Sequence, residues 1–106
     1  MIKYQQTLNQ SVYYSGIGLH SGKPIKMAIH PLPENSGIIF KRLDTTERFT
    51  IEANISNLGD LRFSTTLTKN GVVIQTIEHL MAAFGGVGVD NALIELDGAE
   101  VPAMDG

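Results

Sequence analysis

Only one stretch of this chain repeats its apolar residues at helical spacing. Ile77, Leu80, Met81 and Phe84 fall at i, i+3, i+4 and i+7, the stripe of a helix with one face turned to a core. Thr76 stands where an N-cap belongs, its hydroxyl able to accept an orphan N–H. Gly85-Gly86 is the expected stop, since glycine takes the left-handed terminal conformation cheaply. Almost everything else alternates at period 2 or reads as turn. About seven strands then share one helix of roughly two turns, too little helix to cover a sheet. One sheet face is expected to be bare unless another segment or chain covers it.

The strands are expected over residues 7–15, 24–30, 38–43, 49–53, 62–68, 72–75 and 91–97. Residues 24–30 alternate cleanly, with Ile25, Met27 and Ile29 on one side and Lys26, Ala28 and His30 on the other. Asn70-Gly71 is a strong hairpin signal between two of them. Residues 31–37 read as a loop by composition. Gly98-Ala99 reads as a turn, after which residues 100–103 return as a strand. An Asp105-Gly106 ending after a strand reads as a turn or a helix start rather than a finished fold.

The 106 residues allow one domain at most. They include no cysteine, which removes disulfide frameworks, thiolate zinc sites, Fe–S clusters and cysteine nucleophiles. A net charge of −3 and a pI near 5.5 argue against a phosphate-binding surface, and no basic cluster interleaved with aromatics favours nucleic acid. The longest mainly apolar stretch, residues 80–89, holds three glycines and falls short of the roughly 20 residues a membrane span needs. Residues 1–7 lack an apolar run of the secretory kind, so the expected location is cytoplasmic.

Chemistry concentrates at the start of the helix. At about 100° per residue, Glu78 lies on the flank of the apolar stripe and His79 almost opposite it. Ala82 and Ala83, near His79, are smaller than the residues of a solvated face and leave room for something to pack closely. The positive end of the helix dipole favours an anionic Glu78 and a neutral imidazole. A neutral imidazole can bind a metal, and a nearby carboxylate can take a proton from an attacking water. Against this, histidine at a helix start is more often a surface residue than a ligand. One histidine does not make a zinc site, which takes three protein ligands plus water.

The loop Gly16-Ile-Gly-Leu-His-Ser-Gly22 misses the dinucleotide fingerprint and precedes a strand rather than a helix. Its glycines are expected to serve a tight connection that needs positive φ. His20 at its tip is a candidate substrate contact, whereas His30, before Pro31, reads as a structural residue at a strand end. Ser64-Thr65-Thr66 has no nucleophile elbow around it. The carboxylates Asp44, Glu47, Glu52, Glu95, Asp97 and Glu100 are scattered and declare no acid–base pair.

Four motifs occur in order: Gly16-Ile17-Gly18-Leu19-His20-Ser21-Gly22, Thr76-Ile77-Glu78-His79-Leu80, Asp90-Asn91-Ala92, and Glu100-Val101-Pro102-Ala103-Met104-Asp105-Gly106. Together they resemble the N-terminal part of bacterial UDP-3-O-acyl-N-acetylglucosamine deacetylases, zinc amidases at the committed step of lipid A biosynthesis. The resemblance implies an α+β fold with a ribosomal S5 domain 2-like architecture, a β-sheet layered with helices, repeated in two similar domains with the active site between them. On this resemblance residues 1–106 are expected to correspond to the first domain, cut before its second helix, with the second domain absent.

The resemblance also implies roles. His79 matches a zinc ligand, and Glu78 matches the general base for attack on the acetamide carbonyl. Phe63, Ser64 and Thr65 match a segment bordering the substrate, a UDP-linked acylated amino sugar, and His20 matches a histidine near the site. The family's other zinc ligands, in a His-Lys-x-x-x-Asp motif, its acid-side histidine and its acyl-chain passage belong to the second domain. The chain alone is therefore expected to hydrolyse nothing. The competing expectation is a non-catalytic remnant or a structural module that acts only by pairing with another chain.

Overall fold

In the computed structural model the described residues are 4–45, 50–53, 66–69 and 71–103. They form an α+β fold with a mixed five-stranded sheet, a two-stranded hairpin and one helix. Strands β1 (Val12–Ile17), β2 (Pro24–Pro31), β3 (Ile38–Arg42) and β4 (Thr50–Glu52) belong to the large sheet. Strands β5 (Leu67–Lys69) and β6 (Val72–Ile74) make the hairpin, followed by helix α1 (Glu78–Val87) and strand β7 (Ala92–Leu96). The large sheet runs β1-β2-β7-β3-β4. Strand β7 therefore sits in the middle, antiparallel to β2 and parallel to β3.

The register explains the core. Val12 pairs with Ile29, Ile29 with Ile94, Ile94 with Phe40 and Phe40 with Ile51, so one apolar row crosses all five strands. Period-2 alternation puts Ile25, Met27, Ala92 and Leu96 on that same face, all buried. Ile77, Leu80 and Phe84 of the helical segment and Leu67, Val72 and Ile74 of the hairpin complete one buried cluster. The guanidinium of Arg42 holds Asp44 by two hydrogen bonds of 2.9 and 2.6 Å and donates a third, of 3.2 Å, to the Val73 carbonyl. It thereby anchors the hairpin to the end of β3.

The opposite face carries Lys26, Ala28, His30, Leu93 and Glu95, and the helix does not bury it. His30 has a structural part there. Its Nε2–H donates to Glu95 Oε1 at 2.6 Å, because a carboxylate only accepts. Its Nδ1 meets the Ser11 hydroxyl at 2.7 Å, and Tyr13 stands edge-on to the ring.

Several expectations need correction. β1 begins at Val12 rather than near residue 7, because the segment before it is tied elsewhere. Thr7 donates to the Asn91 carbonyl at 2.6 Å, and Gln6 exchanges hydrogen bonds with Asp90. The helix does not stop at Gly85-Gly86. Both glycines lie in it, and Gly88, at φ +81°, ends it by donating to the Phe84 carbonyl at 2.9 Å. Residues 100–103 do not return beside β7. They bridge instead to the glycine-rich loop, Gly18 to Pro102, and to the end of β6, Gln75 to Glu100. The expected hairpin holds, with Leu67 opposite Ile74 and Gly71 at φ +80°.

Candidate active site

Glu78 and His79 occupy the first turn of α1, Glu78 half-buried and His79 exposed. The apolar stripe sets this: Ile77, Leu80 and Phe84 turn inward, and the residue between Glu78 and Leu80 must face out. Ala82 and Ala83 are exposed beside His79, as the pattern predicts.

Thr76 does not cap the helix. Ile77 takes the N-cap position with no side-chain cap, and the Thr76 hydroxyl donates to Glu100 Oε2 at 3.0 Å. Thr76 has φ +64°, a left-handed conformation that a β-branched residue rarely adopts. Such strain is of order 1–3 kcal/mol and persists only where surrounding bonds hold it. Two such bonds flank it: Gln75 N–H donates to the Ala99 carbonyl at 2.7 Å, and Val101 N–H donates to the Gln75 carbonyl at 3.0 Å.

Glu100 is 1 % exposed. Its carboxylate accepts the His20 N–H at 2.9 Å and the Ser21 N–H at 3.1 Å, besides the Thr76 hydroxyl. Burial pushes its carboxyl up. The backbone N–H groups of His20 and Ser21 and the hydroxyls of Thr76 and Ser21 outweigh that, and hold it below the ordinary carboxylate value. The glycine-rich loop is shaped around this anion. Gly18 N–H donates to the Lys23 carbonyl and Gly22 N–H to the Gly18 carbonyl, both at 2.9 Å. A Cβ at Gly18 would collide with the Glu100 carboxylate and the Ser21 hydroxyl. Close approach, not positive φ, requires glycine at 18; Gly22 is the loop residue with positive φ.

The structure thus brings the backbone of His20 and the segment leading into Glu78 and His79 onto one buried carboxylate. Sequence reasoning missed Glu100 as more than a scattered acid. Phe63, Ser64 and Thr65 lie outside the described residues. His30 sits on the other face of the sheet. Among the described residues no three His, Cys, Asp or Glu side chains converge to hold a metal. A cavity of about 350 Å3 lies beside Glu100, lined among others by Ser21, Lys23, Arg42 and Asp97, and neither Glu78 nor His79 lines it. No helix among the described residues is long and apolar enough to cross a membrane.

Residues 5–106 match the family described as UDP-3-O-acyl N-acetylglycosamine deacetylase, LpxC. The chain belongs to this family. A UDP-3-O-acyl-N-acetylglucosamine deacetylase from Geotalea uraniireducens is 52% identical over 103 residues, 97% of this chain and 34% of the relative. The deacetylase of Cellvibrio japonicus is 49% identical over 102 residues, 96% of this chain and 34% of the relative. That of Methylococcus capsulatus is 46% identical over 106 residues, the whole of this chain and 34% of the relative. The chain spans about a third of the length of these LpxC relatives. Within the match, Asn91 has a structural part. It is buried, accepts from Gly37 N–H at 2.8 Å and donates to Gln5 at 2.9 Å, and so holds β7 to the segments on either side.

Proposed function

We propose that the chain is the first domain, of the ribosomal S5 domain 2-like kind, of a zinc-dependent deacetylase that releases acetate from UDP-3-O-acyl-N-acetylglucosamine in lipid A biosynthesis. The observation that carries this reading is the Glu78–His79 pair at the start of α1, inside a family match that runs over residues 5–106. A UDP-linked sugar as substrate favours the cytoplasm as its location.

In this reading His79 contributes one imidazole to zinc, and a second domain supplies the other ligands. Zinc, when bound, provides a Lewis acid for the acetamide carbonyl. Glu78 takes the proton of the attacking water, a transfer worth about 10²–10⁴-fold in rate, and the departing amine takes its proton from the acid-side histidine of the second domain. Its place in the first turn, at the positive end of the helix, suits the anionic form needed to accept a proton. His20, Phe63, Ser64 and Thr65 border the bound sugar. By itself the chain, with one ligand and one base, hydrolyses nothing. The relatives named above are deacetylases, which disfavours the reading of a non-catalytic pairing module.

The test is a chimera in which this chain replaces the matched third of the Cellvibrio japonicus deacetylase, assayed for acetate release. The chimera is expected to turn over, and Glu78→Gln to lower kcat by about 10²-fold or more. Near-normal turnover by that variant removes Glu78 from the mechanism.

A further inference from the structure

Among the described residues the partners of the buried Glu100 carboxylate are all neutral: the backbone N–H groups of His20 and Ser21 and the hydroxyls of Thr76 and Ser21. Burying an anion without a cation disfavours folding unless hydrogen bonds compensate, and an apolar residue of similar size avoids that burden altogether. The compensation here draws together two segments far apart in the chain. His20 and Ser21 come from the glycine-rich loop, 80 and 79 residues away. Thr76 stands two residues before Glu78 and holds the left-handed backbone from which the chain turns into α1. The loop can approach this closely because Gly18 leaves room for the carboxylate.

We propose that Glu100 is a positioning residue for the Glu78–His79 pair, holding Thr76 in its left-handed conformation and the His20 loop against it. The inference rests on the reading of Glu78 and His79 as site residues. Glu100 acts through Thr76 and the His20 loop and touches neither substrate nor metal. It fixes the direction in which the first turn of α1 leaves Thr76, and the distance of the His20 loop from that turn. A small misplacement of a catalytic group costs up to about 10²-fold in rate.

The chimera tests this through a split of kcat from KM. Glu100→Gln keeps the shape but places an amide N–H₂ among donors, and is expected to lower kcat about 10- to 100-fold with KM unchanged. Thr76→Val, which removes the hydroxyl, is expected to do the same, and Thr76→Ser to restore turnover. The Glu100→Gln, Thr76→Val pair is expected to lose no more than the worse single change, because both break one link. Wild-type kcat in a folded Glu100→Gln chimera, or losses that multiply in the pair, overturn the inference. If Glu100→Gln does not fold, Thr76→Val and Thr76→Ser carry the same test. A second readout needs no turnover: in this chain Glu100→Gln is expected to shift the NMR amide signals of Glu78 and His79 along with those of His20 and Ser21. Glu78 and His79 signals left unmoved overturn it as well. Should Glu78→Gln keep full activity while these shifts are seen, the site reading fails and the structural link stands.

Discussion

At the residue scale, the Glu100 carboxylate makes a pH argument with a definite sign. Its proton affinity is lowered in the folded chain by donors that outweigh burial. The unfolded chain therefore binds a proton first as pH falls. The stability Glu100 contributes is present above the ordinary glutamate value, near pH 4.3, and is lost below it as pH passes through the depressed folded value. Asp44, held down by its hydrogen bond to Arg42 against the opposing effect of burial, acts with the same sign in both the wild type and a Glu100 variant. Urea unfolding of this chain at a series of acid pH values is expected to show a shallower loss of stability for Glu100→Gln than for wild type. Parallel curves for the two would show that Glu100 is not the titrating group. The sequence made the outward position of His79 legible, because four apolar residues at helical spacing leave one direction for it. It did not make Glu100 legible, because partners 79 and 80 residues away leave no local pattern. Thr76 misled for a related reason. A threonine before a helix usually caps it, and only the distant carboxylate diverts its hydroxyl.

At the element scale, α1 carries glycines of opposite meaning. Gly85 lies inside the helix, exposed, with open space where a Cβ would stand. Gly88 closes the helix in the left-handed region. Gly85→Ala is expected to stabilise by about 0.5–1 kcal/mol, through helix propensity and lost freedom in the unfolded chain. Gly88→Ala is expected to destabilise by about 1 kcal/mol, because alanine resists positive φ. Thermal denaturation followed by circular dichroism separates them, and Tm shifts of the same sign would contradict this end to the helix. The same element shows where pattern reading stops. A Gly-Gly pair looks like a terminus, yet the hydrogen bonds run on to the glycine with the left-handed backbone. Strands with clean alternation, such as β2, were legible almost to the residue. Residues 100–103 were not, since which segment a short extended run pairs with is a long-range choice. Here the loop around Gly18 and the end of β6 make it.

At the scale of the whole molecule, one core joins elements that differ in type and in distance along the chain. Phe40, Ile94 and Ile51 share a row of the sheet, all at 0% exposure, and the same cluster contains Leu80 and Phe84 of α1 and Ile74 of the hairpin. A domain of this size has a total stability of roughly 5–15 kcal/mol. Deleting the Phe40 ring, in the parallel pair with β7, is expected to cost about 3–5 kcal/mol through lost burial and the cavity left behind. Leu80→Ala on the helix is expected to cost about 2–5 kcal/mol by the same route. Because the core is continuous, each change should lower one shared transition rather than melt its own layer. Helical circular dichroism and the NMR signals of β7 amides are expected to report the same urea midpoint in each variant. A Leu80→Ala variant that loses its helix while β7 stays protected would divide the core in two. The position of Glu78 and His79 would then depend on the local hold of Glu100 and Thr76 rather than on the sheet beneath them.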